Sequence, residues 1–340
     1  MLLRFVPWIA LVLSSASFAT TLCVSTTAEL QDALTTAAGN GEDDVILLQP
    51  GLYPVDAQLT YDTFENFNLS VSGGWENCVA HHNDPRYTII DGQSAHALVK
   101  FTGAPGTSGD VSVGWITFQN GVGEAGVNPV ALTTYAGWSG TLLVENNVFR
   151  NLEGRADSGY TAIQLDSDLG RLEVRNNLFA HNTTESGISP IYLIANSTEF
   201  AYVGRFTNNT VTANDSGSHA VTATGGGIWS VANNVLWGNG GGDLKLGSYV
   251  FVTNNDIGSY CCDPVSESGN ISIDPGFVDP DGDDYRPGGS SPLAEAGWND
   301  APGGLTAFDL GGGLRVIGTT VDIGAYERQD AIFRGDFDSL

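Results

Sequence analysis

From residue 97 onward the hydrophobic residues fall in short runs that alternate apolar with polar and are broken by Asn, Gly, Asp and Ser. Period-two alternation over a few residues is the mark of a half-buried strand. Five runs align on an Asn-Asn pair: VENNVFRN (144–151), VRNNLFAHN (174–182), FTNNTVTAN (206–214), VANNVLWGN (231–239) and VTNNDIGSY (252–260). The leading Asn falls at 146, 176, 208, 233 and 254, so the steps are 30, 32, 25 and 21 residues. An earlier run, VGWITFQNG (113–121), keeps the frame with Gly114-Trp115 in place of the pair. Each run follows another short apolar run: Ala97–Phe101, Val130–Tyr135, Ala162–Leu165, Ile191–Ile194, Ala220–Thr224 and Leu244–Leu246. One unit therefore reads strand, turn, strand, Asn-Asn turn, strand, loop.

A fixed motif at variable steps predicts a solenoid whose coils are constant on one side and carry loops of different length on the other. The expected fold is all-β: a single-stranded parallel β-helix with a core one side chain deep. Asn suits the corner because it tolerates the left-handed backbone region. Its amide can also bond the Asn one coil above and below, which predicts a ladder through Asn146, Asn176, Asn208, Asn233 and Asn254. Asn208-Asn209-Thr210 and Asn182-Thr183-Thr184 match glycosylation acceptors, but the repeat already explains these asparagines.

The start of the chain reads differently. Thr27 to Ala38 places Leu30, Ala33, Leu34 and Ala37 at helical spacing, with Thr26 or Thr27 as N-cap, Glu29 and Asp32 toward the positive end of the dipole, and Gly39 or Gly41 to stop it. This short helix is expected to cap the open end of the solenoid, where backbone and core would otherwise meet water. Before it, Met1–Arg4 is basic, Phe5–Leu13 is apolar and Ser14–Ala19 is small, the form of a secretory signal cleaved near Ala19-Thr20. The expected divisions are 1–19 signal peptide, 20–95 N-terminal cap and first coils, 96–278 β-helix repeats, 279–328 closing segment and 329–340 tail.

Composition adds constraints. The 340 residues hold 44 Gly, 1 Met and only 15% charged residues, with 13 basic against 39 acidic side chains and a net charge of −26. That excess repels nucleic acid and anionic lipid. After the signal no apolar run is long enough for an integral membrane span. The expected product is a monomer, secreted or held at the cell surface. In an oxidising compartment Cys23 and Cys78 are placed to pair and tie down the first strand. The adjacent Cys261 and Cys262 are open to three fates: a vicinal disulfide, pairing with other chains, or free thiols.

The repeated h-x-N-N-h-h-x-x-N pattern resembles the right-handed parallel β-helices of the pectate-lyase-like superfamily. Three segments narrow the likeness: LCVSTTAELQDALTTAAGNGEDDVILLQPGLY (22–53), SVSGGWENC (70–78), and IDPGFVDPDGDDYRPGGSSPLAEAGW (273–298) with VDIGAYE (321–327). The first is similar to the helix-capped entry of bacterial secreted β-helices, the second resembles the entry strand and cysteine of that family, and the third resembles the end of the choice-of-anchor Q domain proteins, which are bacterial secreted β-helices. The tail IFRGDFDSL (332–340) resembles an acidic-aromatic tail of exported proteobacterial proteins. Lyases of this superfamily pair acid-bound Ca²⁺ with a basic residue that abstracts a proton, so the resemblance directs attention to carboxylates beside Arg or Lys.

Four residues meet that description as catalytic candidates: Asp166 and Asp168, spaced to share a strand face, and Arg171 and Arg175 just beyond. Asp279, Asp281 and Asp283 alternate around Gly282 like a calcium loop, but without the distal Glu or flanking helices of an EF-hand. No cofactor is required on this reading, although Ca²⁺ is compatible with it. The repeats lack the paired aspartates of a glycoside hydrolase, and the five His show no metal spacing. Trp138, in the Gly-rich turn AGWSG, is the expected exposed glycan contact, whereas Trp237 is expected at the inward position of Phe149 and Phe179. The function that follows is a non-catalytic adhesion or glycan-binding protein, with a polysaccharide or cell-surface glycan as partner. A polysaccharide lyase with a divergent site and a structural envelope spacer are the competing readings.

Overall fold

The computed structural model describes residues 19–123, 131, 138–155, 161–184, 187–198 and 202–329. The hydrophobic leader before Ala19, the tail from residue 330 and, apart from Ala131, the strand expected at 130–135 lie outside these.

The chain is a parallel β-helix. Three sheets run its length. The first has ten strands in the order Thr20–Val24, Asp44–Leu48, Leu69–Ser72, Val111–Gly114, Thr141–Glu145, Arg171–Arg175, Gly204–Thr207, Trp229–Ala232, Val250–Thr253 and Ser266–Ser268. The second has eight, from Gly51–Pro54 through Thr88–Asp91, Thr117–Gln119, Val148–Arg150, Leu178–Ala180, Thr210–Thr212 and Val235–Trp237 to Asp256–Ile257. The third runs from Ile163–Ser167 to Tyr260–Cys261 and is continued toward the N-terminus by Leu59–Thr63 paired with Val99–Gly103. Within all three, every strand pair is parallel, as stacked coils of a solenoid must be.

The core is a set of stacked columns. Phe118, Phe149 and Phe179 face inward from the second sheet with ring centroids 5.0 Å apart and planes within 7° of parallel, each ring offset from the next by one strand spacing. Trp229 is also fully buried. It fits because its register partner is Gly204, where a Cβ would lie 2.2 Å from the indole. Trp237 is one residue out of the expected frame. The inward column is Phe179, Val211, Leu236, so Trp237 pairs with Thr212 on the outer face.

The capping helix spans Thr27–Ala37 and buries Leu30, Ala33, Leu34 and Ala37, the apolar stripe read from sequence. Thr26 is its N-cap, accepting a bond from the Glu29 amide at 3.2 Å, while the Glu29 carboxylate returns to the Ser25 amide at 2.8 Å. Cys23 and Cys78 form a disulfide with Cα atoms 5.9 Å apart. It closes a loop of 55 residues, worth about 4 kcal/mol in the chain-entropy picture.

The corner between the first and second sheets divides its work between the two asparagines. The leading residue takes the left-handed conformation: φ lies between 52° and 60° at Trp115, Asn146, Asn176, Asn208, Asn233 and Asn254. The unbroken ladder belongs to the second Asn; in the leading row, where the sequence placed it, the bonds are pairwise, Asn176 Nδ2 to Asn146 Oδ1 and Asn233 Nδ2 to Asn208 Oδ1 (3.4 Å). Asn147 Nδ2 donates to Asn177 Oδ1 (3.2 Å), and the chain continues through Asn209, Asn234 and Asn255 to Asn270, each step 2.9–3.0 Å. Each Oδ1 also accepts the backbone amide of the Asn before it. Each Nδ2 also reaches a carbonyl of the preceding coil, as Asn177 does to Val144 at 2.9 Å. A second ladder, Asn182–Asn214–Asn239, ends on Asp243.

Asn177→Ala strips five bonds from a fully buried corner and orphans groups on three coils. The expected cost is about 3 kcal/mol or more, read as a fall in the urea midpoint. Asn176→Gly keeps the left-handed corner and is expected to cost less than half of that.

Candidate functional site

The closing segment follows the last coil, which ends with the bridge of Ile271 to Asp256. It folds back along the corner of the first two sheets, and the leading Asn row is the rail it docks on. Asn254 Nδ2 donates to the Ala296 carbonyl (3.0 Å), Asn233 to Trp298 (2.9 Å), Asn208 to Asp322 (3.4 Å) and Asn176 to Phe308 (3.3 Å). Gly324 packs so closely that a Cβ would meet Val235 at 2.9 Å and Thr210 at 3.0 Å; its φ of 101° also favours glycine.

The VDIGAYE string supplies the internal lock of this segment. Arg315, wholly buried, donates through Nη2 to the Asp322 and Gly324 carbonyls at 2.8 Å each, with Glu327 3.9 Å from Nη1. Asp322 accepts the Glu295 and Arg328 amides, and Glu327 accepts those of Ile317 and Asp322. Burial dominates at Glu327 and lifts its carboxyl to about 7 despite the nearby guanidinium.

Where this segment stands off the second sheet it leaves a cleft of about 500 Å³, within the size range of small-ligand sites. Its floor is the outward row Ile89, Thr117, Val148 and Leu178, which share register across four coils. Its walls carry Arg86, Arg150 and His181 from the solenoid and Asp283, Asp284, Tyr285 and Arg286 from the closing segment. Arg86 binds Asp84 and Arg286 binds Asp284 through two nitrogens each. Arg286 holds the Asp284 carboxyl below its usual range. Arg150 differs. Its Nε and Nη2 both donate to Gln119 Oε1, at 3.0 and 2.6 Å, and no carboxylate pairs with it among the described residues. His181, in a left-handed corner at φ 57°, directs Nε2 at Asp283 Oδ1 (2.8 Å) and the Tyr285 hydroxyl (2.9 Å). Burial, followed by the charge of Asp283, raises the Tyr285 phenol well above its ordinary value, so it stays protonated.

The four catalytic candidates do not converge. Asp166 lies on the outer face of the third sheet and Asp168 in the turn after it, where Asn196 Nδ2 reaches it at 3.3 Å. Arg171 and Arg175 face outward from the first sheet, round a corner of the coil. Arg175 pairs with Glu145 at 2.7 Å, and Arg171 lies 3.6 Å from Glu173, which also binds Arg205 at 2.7 Å. Asp166 is nonetheless perturbed: burial, then Asp168, raises it to about 6. Asp279 caps the short turn Pro280–Gly282 and Asp283 is turned to His181. Among the described residues no three His, Cys, Asp or Glu side chains form a group able to hold a metal ion. Trp138 is 2% exposed, with Nε1 donating to the Gly109 carbonyl at 2.9 Å. The expected glycan contact is thus a core side chain, since the glycines around it let it sink between coils. Sequence reasoning passed over Arg86, Arg150, His181, Tyr285 and Arg286; only the Asp283-Asp284 run had drawn attention to this stretch.

No protein-family model matches the chain, and no curated protein sequence matches it. Among solved structures it is similar to pectate lyase Pel9A, with 13% identity over 92% of this chain and 98% of that one, at a TM-score of 0.34. No helix of the described residues is long and apolar enough to cross a membrane.

The raised Glu327 carboxyl sets a pH dependence. Its folded pKa of about 7 exceeds the ordinary 4.5, so its contribution is full below about pH 4.5 and is lost as pH rises through 7. The closing segment is therefore expected to be cut faster by a protease of flat pH profile at pH 8 than at pH 5. Glu327→Gln is expected to flatten that difference, as read by mass spectrometry of the fragments.

Proposed function

We propose that the chain is an exported β-helix protein that binds an acidic polysaccharide in the cleft between its second sheet and the closing segment. One observation carries this reading. In a chain of net charge −26 with only 13 Lys and Arg, three arginines and a histidine line one cleft, and Arg150 has an amide rather than a carboxylate for partner. A guanidinium with capacity to spare matches a planar carboxylate, and the apolar floor offers a surface for sugar C–H faces. The export half of the proposal rests on the leader over 1–19, cleaved at Ala19-Thr20, with the Cys23–Cys78 bridge as support. The likeness to choice-of-anchor Q proteins rests on the DPGFVDP and VDIGAYE strings alone.

The second reading, a polysaccharide lyase, is favoured by His181 and Tyr285, an imidazole and a protonated phenol 2.9 Å apart in that same cleft. One experiment separates the two. The purified chain is titrated with polyuronates and with neutral glucans, with and without Ca²⁺, while the ultraviolet absorbance of unsaturated uronate ends is followed. Binding of the polyuronates without new absorbance is expected. Arg150→Ala is expected to weaken binding at least tenfold, about 1.4 kcal/mol, with no change in thermal midpoint. Equal affinity in Arg150→Ala, or a preference for neutral glucans, overturns the cleft assignment. New absorbance that His181→Ala abolishes establishes the lyase.

A further inference from the structure

The third sheet ends at Tyr260–Cys261, whose register partners are Leu244 and Lys245. Consecutive residues of a strand send their side chains to opposite faces, so adjacent cysteines in a continuing strand hold their sulfurs well apart. Here the strand stops between them. Cys262 takes a left-handed φ of 76°, which swings its side chain back to the side of Cys261. The two Sγ atoms lie 2.7 Å apart, Cys261 part-exposed and Cys262 exposed. That separation is inside the contact distance of two unbonded sulfurs and within a small side-chain rotation of bonding.

From this geometry we infer that Cys261 and Cys262 are a modification site, joined as a vicinal disulfide in the mature protein. The oxidant is a small-molecule disulfide such as glutathione disulfide. The Cys262 thiolate, the more exposed sulfur, attacks it and displaces one thiol. The Cys261 thiolate then attacks the Cys262 sulfur of the mixed disulfide and displaces the second. Two protein S–H bonds and one S–S bond are consumed; one protein S–S bond and two S–H bonds of the reduced oxidant replace them. The ring closes through the peptide linking the two residues and fixes the turn that ends the sheet. A fixed turn keeps this edge strand short, and a short edge is a poor template for pairing with another chain.

Chain folded in a glutathione redox buffer is denatured, alkylated without reductant, digested and weighed. The fragment carrying both residues is expected to take no alkyl group and to be two hydrogens lighter than its reduced form. After reductant it is expected to take two alkyl groups. In Cys262→Ser, Cys261 is expected to be alkylated or capped by glutathione. Cys23 and Cys78, bridged in the same chain, report that the buffer is oxidising. Two alkyl groups on the unreduced fragment while Cys23 and Cys78 stay protected overturn the inference, as does a disulfide from this fragment to another chain.

Discussion

The structure depends on how a solenoid satisfies its backbone at a corner. Between the first and second sheets the hydrogen-bond ladder must break, because the chain turns through a left-handed residue there in each coil from Trp115 to Asn254. The backbone amides of Asn147, Asn177 and Asn209, each accepted by the next coil's asparagine Oδ1, would be left inside an apolar core without partners, at a cost of one to several kcal/mol each. The second Asn of each pair is the remedy. Its amide supplies two donors and an acceptor in the space of a short side chain, enough to reach the coil on either side and the carbonyl behind. Stacked one per coil, these amides extend the sheet hydrogen bonding around the bend and hold consecutive coils in register.

The leading Asn serves the outside. The corner turns one amide inward and the other outward, and the closing segment, which has few regular partners of its own, uses the outward row as an edge and buries Asn176, Asn208 and Asn233 beneath it. The cleft is a by-product of this arrangement. Docking is tight over the later coils, where Leu293, Ile323 and Ala325 are buried. Over the earlier coils the corner residue at the start of the row is Trp115 rather than Asn, and the space between sheet and segment remains open. The polar lining follows: residues on the outer face of the second sheet are free of core packing, so Arg150 and Gln119 sit in register where other coils carry Ala180 or Thr212.

Much of this was legible in the sequence. The Asn-Asn frame located the coils, and the helical spacing of Leu30, Ala33, Leu34 and Ala37 located the cap. A ladder was foreseen on the leading asparagines, where it forms only in pairs, and its unbroken run on the second ones was missed, because in linear sequence nothing distinguishes the residue that bends the chain from the one that fills the bend. The frame also misplaced Trp237 by one position, which on a strand reverses the face. Site prediction failed for a related reason. Asp166 and Arg171 are close in sequence, yet the coil turns between them and sets them on different sheets. The cleft gathers residues from 84 to 326, and only the path of the closing segment, which no periodicity encodes, brings them together. Trp138 misled because glycine-rich sequence signals a turn and a close approach equally well.

The coils are held in register by the buried second-Asn ladder. Side-chain amide hydrogen exchange in protein labelled with ¹⁵N at asparagine tests it most directly. The NH₂ groups of Asn177, Asn209 and Asn234 are expected to exchange orders of magnitude more slowly than that of the exposed Asn68, and to do so together, since each is bonded to the next. Exchange at free-peptide rates, or protection at Asn176 with none at Asn177, would contradict it.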